Sequence, residues 1–324
     1  MKTPDLNYYI DGIEKKNRTV LARAITLIES ELAAHQVIAQ KLIHHFLPKT
    51  GTAKRIGISG TPGVGKSSFI EAFGKMITSQ GMSVAVLAID PTSQVSGGSI
   101  LGDKTRMNEL AIDPQAFIRP SPSGKTLGGV AKRTRESMLL CEAFGFDYIF
   151  IETVGVGQSE TTVAQMVDMF IMLLQPGSGD DLQGIKRGIL ELVDMVVVTK
   201  DDGDNQKLIS KAKHDYKQAL HILRHQGWVP PVLSSSVVTK SGLKEILQTI
   251  EDFYTKEAQQ IREKRTRQGL DWMWQLVFDG LKDEFNKFVP QQLIKDAEKR
   301  VTDSTQTPVQ ASLELLQLFK ESLK

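Results

Sequence analysis

One short stretch of the chain combines residue types that bind phosphate groups. Residues 60–67 read GTPGVGKS and match the pattern GxxxxGK(S/T) in full. The stretch follows a run with strand character, RIGIS, and precedes one with helix character, SFIEAFGKMI, as phosphate loops do. Backbone N–H groups of such a loop can point at phosphate oxygens, Lys66 can reach the outer phosphates, and the Ser67 hydroxyl can ligate Mg²⁺. The sequence therefore predicts a nucleotide-binding loop formed by Gly60, Thr61, Pro62, Gly63, Val64, Gly65, Lys66, Ser67 and Ser68.

A second stretch indicates which base is bound. Residues 199–202 read TKDD, follow the apolar run MVVV, and resemble the (N/T)KxD pattern of guanine-binding sites. A carboxylate at Asp202 can accept two hydrogen bonds from the guanine edge, and adenine offers no such pair of donors. The stem of Lys200 can lie over the base, and Thr199 stands where Asn is commoner. We expect GTP or GDP as the ligand, with Ser236 and Val237 in a second base-contacting loop.

Three acidic residues in or after predicted strands are candidate ligands for Mg²⁺. Asp90 ends SVAVLAID, Glu152 ends YIFIE, and Asp103 lies in the loop GGSILGDKTRM. The carboxyl ends of parallel strands form the ligand-binding edge of a sheet. Because Mg²⁺ prefers oxygen ligands and keeps several waters, one or two direct carboxylates beside Ser67 would suffice.

Two glycine-rich segments follow other predicted strands. Residues 152–160, ETVGVGQSE, place Gly155 just after a strand that we expect beside the phosphate loop. A Gly155 N–H near the terminal phosphate would respond to its loss on hydrolysis, which is the behaviour of a switch. Residues 176–188, PGSGDDLQGIKRG, form a second such loop, and alone it indicates little.

The elements that must position these residues alternate along the chain. Short apolar runs, separated by helical stretches, predict an α/β fold with a doubly wound, mainly parallel sheet: RIGISG, SVAVLAID, AFIRP, YIFIET, MFIMLLQP, MVVVTK and PVLSSS. We expect an N-terminal helical segment over residues 1–47, a nucleotide-binding domain over 48–255 and a C-terminal helical arm over 256–324. In the N-terminal segment an apolar stripe must pack on something larger: Val20, Leu21, Ala24, Leu27, Ile28 and Leu32.

The C-terminal arm is apolar on more than one side. It must pack on the main domain or on another subunit, and we favour a homodimer contact. The residues concerned are Trp272, Trp274, Leu276, Val277, Phe278 and Leu281.

Composition limits the possible partners, metal sites and cellular location of the protein. The 324 residues include 40 Lys and Arg against 38 Asp and Glu, a balance that argues against nucleic acid as a partner. A single cysteine, Cys141, excludes an intramolecular disulfide and a zinc site built from several cysteines. No secretory signal and no run of about 20 apolar residues is visible, so we expect a cytoplasmic protein with no membrane partner.

Taken in order, the motifs identify a family. GTPGVGKS, AIDPTS, GGSILGDKTRM, RPSPS, ETVGVGQSE, QPGSGDDLQGIKRGILE and TKDDGD together resemble the MeaB/ArgK family of methylmalonyl-CoA mutase-associated GTPases. The resemblance implies a P-loop G domain with a C-terminal dimerisation arm. It also implies an ExxG switch led by Glu152, and metal-related roles for Asp90, Asp103 and Glu152.

The resemblance also implies a function. Lys66 and Glu152 would be the catalytic residues, and Asp180 and Lys186 would couple a third switch to a partner enzyme. That partner would be an adenosylcobalamin-dependent acyl-CoA mutase, whose cofactor loading and protection the GTPase would control. The departures from the family pattern are small: Ser68 in place of Thr, Thr199 in place of Asn, and Lys125 in place of a small residue.

Two other functions stay open at this point. The same family has been described as an ATPase or kinase of lysine, arginine and ornithine transport, although Asp202 argues against ATP and no kinase catalytic loop is present. A GTP-dependent metallochaperone for nickel would share the switch architecture. Such proteins often carry His-rich tracts, and the only adjacent pair here is His44-His45.

Overall fold

A sheet of seven parallel strands forms the centre of the chain. The structure is a computed structural model that describes residues 4–89, 107–121, 127–153, 159–177, 187–223 and 227–323. In these ranges the strand order is β3-β2-β4-β1-β5-β6-β7. The strands are β1 (Lys54–Gly60), β2 (Val84–Ile89), β3 (Ala116–Ser121), β4 (Tyr148–Glu152), β5 (Met169–Leu174), β6 (Met195–Val198) and β7 (Val232–Ser234). The predicted α/β class and all seven predicted strands are confirmed.

Helices connect the strands and continue beyond them. Those up to β4 are α1 (Leu6–Glu14), α2 (Arg18–Glu29), α3 (Ala33–Phe46), α4 (Lys66–Thr78), α5 (Asn108–Ala111) and α6 (Leu127–Phe144). The later ones are α7 (Ser159–Ala164), α8 (Arg187–Leu190), α9 (Gln206–Leu223), α10 (Leu243–Lys256), α11 (Ala258–Phe288), α12 (Gln291–Thr302) and α13 (Pro308–Ser322). The chain divides into two compact units, residues 1–262 and 263–324.

The sheet is buried on both faces because successive strand side chains point to opposite sides. On β4, Ile149 and Ile151 enter a core that also contains α6 and the N-terminal helices. Tyr148 and Phe150 of the same strand enter a second core with α4 and α10. This explains why the strands are continuously apolar rather than alternating. The order also places β1 between β4 and β5, where successive connections leave on opposite sides and ligands bind.

The N-terminal segment belongs to the same unit as the sheet. It forms three helices; α2 packs on α6, and the buried residues of α2 in the shared core include Val20, Leu21 and Ile28. The prediction for Leu32 was wrong, because α2 ends at Glu29 and Leu32, at the N-terminal cap of α3, is 62% exposed. The other predicted members of the stripe are buried, so one side of the segment is part of the core.

Polar contacts fix α6 between the N-terminal helices and the sheet. The guanidinium of Arg55 donates to both carboxylate oxygens of Glu142, at 2.9 and 2.6 Å, and Gly51 N–H donates to the same carboxylate at 3.2 Å. Gln40 donates to Glu136 Oε1 at 2.7 Å. Burial raises the pKa of Glu136 above its ordinary value, although the Gln40 hydrogen bond lowers it in part. Both carboxylates are therefore held inside the first unit.

The second unit is helical and leaves a large apolar surface uncovered. Within it, Val289, Ala297 and Ala311 are buried, and the Phe285 and Phe319 rings lie 5.6 Å apart. One stripe of α11 is exposed, at three- and four-residue spacing: Leu270, Met273, Trp274, Val277, Phe278 and Leu281. None of the helices in the described ranges is both long and apolar enough to span a bilayer.

Candidate functional site

The phosphate loop lies between β1 and α4, at the carboxyl edge of the sheet. Gly63 and Gly65 have φ angles of 82° and 97°, a backbone region that side chains disfavour. Lys66, the first residue of α4, is buried, and its ammonium donates to the carbonyls of Gly60 at 2.7 Å and Thr61 at 3.3 Å. The cation is thus held in the loop, next to a helix N-terminus that itself favours anions.

The two predicted metal ligands that the structure describes are in contact. The Ser67 hydroxyl donates to Glu152 Oε1 at 3.0 Å, across 85 positions of sequence. Ser67 is half-buried and Glu152 is 6% exposed. Two oxygen ligands at this spacing fit Mg²⁺, which completes its shell with water and phosphate oxygens. When bound, Mg²⁺ would neutralise charge that develops on the outer phosphates.

The described ranges contain no separate cluster of metal-ligating side chains. No group of three or more His, Cys, Asp or Glu side chains there could hold a metal ion. Five predicted site residues lie outside the described residues: Asp90, Asp103, Gly155, Asp180 and Lys186. Their roles stay predictions.

The base loop is tied to the phosphate loop through Thr199. Its side chain is buried, and its hydroxyl lies 2.9 Å from the carbonyl oxygen of Val64 and 3.1 Å from that of Leu174. Lys200, with φ of 60°, extends its ammonium to 3.3 Å from Gly63 O and 2.9 Å from Gln175 Oε1. The predicted base-reading and phosphate-binding residues are therefore brought together.

The Asp202 carboxylate is held by the second predicted base loop. The Ser236 hydroxyl donates to Asp202, and it accepts the N–H groups of Val238 and Thr239 at 3.1 Å each. Val237 is half-buried against the core that contains α10. A carboxylate oriented in this way presents acceptor oxygens to the paired donors of guanine. The two predicted base-contacting loops therefore lie side by side.

Three residues that the sequence did not single out also belong to the site. Gln175 accepts the Lys200 hydrogen bond, and Thr153 Oγ1 donates to Ser59 Oγ at 2.7 Å beside the phosphate loop. Ser and Thr at strand ends are too common to attract notice alone, and only the pairing of β1 with β4 makes this contact evident.

The family follows from comparison with known proteins. A sequence model of the family described as "Methylmalonyl Co-A mutase-associated GTPase MeaB" matches residues 21–288. The chain belongs to the MeaB family. Because the family is one of P-loop GTPases and similar proteins are named GTPases, this MeaB-family protein is a GTPase that binds guanine nucleotide.

Similar proteins span nearly the whole chain. A putative GTPase of Caulobacter vibrioides is 51% identical over 319 residues, 95% of this chain and 96% of that protein. GTPase ArgK of Escherichia coli is 45% identical over 318 residues, again 95% and 96%. The mitochondrial methylmalonic aciduria type A homolog of Mus musculus is 44% identical over 324 residues, 95% of this chain and 78% of that protein.

A solved structure shares both sequence and architecture with this MeaB-family protein. It is described as an LAO/AO transport system kinase, has a TM-score of 0.80 at 37% identity, and the match covers 99% of each chain. The helices at both ends of this chain therefore fall within the likeness. The predicted family, fold and GTPase activity are confirmed.

Proposed function

We propose that this GTPase controls the loading of adenosylcobalamin into an acyl-CoA mutase of the methylmalonyl-CoA type, and protects or reactivates that enzyme. The observation that carries the proposal is the family match over residues 21–288, whose description names association with methylmalonyl-CoA mutase. The mouse relative, named for methylmalonic aciduria, supports the same client.

The geometry supports a nucleotide-controlled role. Glu152 is the last residue of β4 and contacts the phosphate-loop helix through Ser67. The segment that leads to α7 starts directly after Glu152. We therefore expect that loss of a phosphate or of Mg²⁺ at Glu152 would act first on that segment. In hydrolysis itself, Lys66 stabilises charge on the transferred phosphoryl group, and Asp202 and Lys200 fix the base end of the substrate.

The test uses purified cognate mutase and the full chain. We expect the mutase to accelerate GTP hydrolysis, and GTP but not GDP to permit transfer of adenosylcobalamin, followed by its visible absorbance. Lys66→Ala is the matched control and should support neither. If the mutase changes neither the hydrolysis rate nor cofactor transfer, the proposal is wrong.

An ATP-dependent kinase of lysine, arginine and ornithine transport is the second candidate, because the similar solved structure is described as an LAO/AO transport system kinase. The Asp202–Ser236 contact favours guanine over adenine and so weighs against an ATP-dependent kinase. Calorimetry with GDP, GTP, ADP and ATP separates the two. Equal affinity for ATP and GTP would favour the kinase.

We propose further that the protein is a homodimer formed through the exposed stripe of α11. Trp274 and Phe278 are 54% and 61% exposed, and their rings lie 6.2 Å apart. Large aromatic side chains exposed side by side are typical of interfaces. Sedimentation should give a dimer for the unchanged chain and a monomer for a variant with Trp274→Ser and Phe278→Ser. A monomer in both would reject this assembly.

A further inference from the structure

Strand β1 contacts both ends of the segment that follows Glu152. At its near end, the Thr153 hydroxyl donates to Ser59 Oγ at 2.7 Å, and Thr153 N–H donates to Ile58 O at 3.0 Å. Ser59 and Thr153 are both buried, 0% and 1% exposed. The register that pairs Ile58 with Glu152 makes Ser59 and Thr153 the next pair along the two strands.

At its far end, the segment leads into α7, which packs directly on β1 at Gly57. A Cβ placed on Gly57 would lie 2.8 Å from Val163 Cγ1 of α7, 2.9 Å from Phe170 Cδ2 of β5 and 3.2 Å from Val167 Cγ2, so any side chain there would force these neighbours to shift. Both valines are fully buried. Helix α6 contacts the end of α7 as well, since the Arg135 guanidinium donates to Gln165 O at 3.2 Å.

Through these contacts β1, the strand that precedes the phosphate loop, can fix the position of the Glu152 carboxylate. Ser59 immediately precedes Gly60, and Thr153 immediately follows Glu152. A shift of the Thr153 backbone would therefore move Glu152 away from Ser67, which it meets at 3.0 Å. Catalytic groups lose rate steeply when displaced, by about 100-fold for roughly 1 Å.

We propose that Ser59, Thr153 and Gly57 are positioning residues for GTP hydrolysis. The hydrogen bond between Ser59 and Thr153 aligns the Glu152 carboxylate with Ser67, and Gly57 provides the flat surface on which α7 rests. None of the three needs to touch the nucleotide. The inference concerns hydrolysis by the GTPase itself, so it does not depend on the identity of the mutase.

The test compares variants that differ by one hydroxyl. Thr153→Val removes the donor and keeps the shape, Thr153→Ser restores the donor, and Ser59→Ala removes the acceptor from the other strand. For each full-length variant, kcat and KM for GTP, the Mg²⁺ concentration at half-maximal rate, the GDP Kd and the melting temperature are measured. All assays are run well below the lowest melting temperature.

We expect Thr153→Val and Ser59→Ala each to lower kcat about ten-fold and to raise the Mg²⁺ requirement, while the GDP Kd stays within about two-fold. Thr153→Ser should recover most of kcat. The double variant should be no slower than the slower single one, because both remove the same hydrogen bond. Gly57→Ala should lower kcat in the same way.

A purely structural role predicts a different pattern. It would lower the melting temperature and leave kcat and the Mg²⁺ requirement at the parent values, and that result overturns the proposal. Equal loss of kcat in Thr153→Ser and Thr153→Val would do so too. If Thr153→Val does not fold, Ser59→Ala alone decides, with the same criteria. If the parent hydrolyses GTP, but added mutase changes neither that rate nor cofactor transfer, the mutase proposal fails and this one still stands.

Discussion

Glu152→Gln should separate guanine-nucleotide binding from hydrolysis. The amide oxygen of glutamine can still accept the hydrogen bond that Ser67 donates at 3.0 Å, so the local structure should persist. What the variant loses is the negative charge that would make the pair a ligand for a divalent cation.

The expected magnitude follows from the burial of the carboxylate. Glu152 is 6% exposed, so solvent screens its charge little. Removal of one preorganised charge-stabilising group costs roughly 2.7–4 kcal/mol, or about 10²–10³ in kcat. Since the shape and one hydrogen bond remain, we expect a smaller loss of about 10- to 100-fold, which reaches at most the lower limit of that range.

The assay measures phosphate release at saturating GTP over a Mg²⁺ titration, with GDP affinity measured separately in metal-free buffer. Glu31→Gln is the matched control, because it removes the same charge from the same unit at a side chain that is 67% exposed and pairs with Arg133. It should leave kcat and the Mg²⁺ requirement unchanged. Unaltered turnover of Glu152→Gln at limiting Mg²⁺, or a loss of GDP binding without metal, would refute the reasoning.

Two further predictions concern the buried carboxylates of α6. Glu142→Ala should lower the free energy of unfolding in urea by about 3–5 kcal/mol, because it leaves Arg55 buried without its partner. The control Glu14→Ala, at an exposed ion pair, should have no measurable effect. Equal effects of the two variants would contradict this. Glu136 has a raised pKa, so the folded state keeps its proton above the ordinary value of about 4.3 and stability falls as pH rises through that window. Glu136→Gln should remove this pH dependence. Relative to the parent, its free energy of unfolding should rise as pH rises, and the two curves should converge near pH 4. Parallel curves would contradict the assignment.

Local sequence patterns predicted most of the sheet and the phosphate loop. Strands such as β4 and β5 are continuously apolar because both of their faces are covered, and GTPGVGKS defines its own turn and helix start. The contact between Ser67 and Glu152 was also predictable, since both were expected at the same edge of the sheet. Predictions of this kind depend on short-range periodicity and on one topological rule.

The remaining features depend on packing between distant segments. The contact of Gly57 with Val163 and the Ser59–Thr153 bond require the register of β1 against β4 and the placement of α7, and small residues in strands give no periodic signal for either. Leu32 shows the same limit, because an apolar stripe continued past the point where α2 ends. The spacing of apolar residues does not show where a helix ends when the end is set by capping residues and turns.

The hydroxyl of Thr199, placed between the carbonyls of Val64 and Leu174, has a consequence for redesign of the protein. We expect this contact to couple the predicted base-reading residues to the predicted phosphate loop. A change at Thr199 intended to accept another base would also loosen the loop that holds the phosphates. We therefore expect a change of base selectivity at Thr199 to weaken the binding of any nucleotide, so that redesign would have to begin at Asp202 instead.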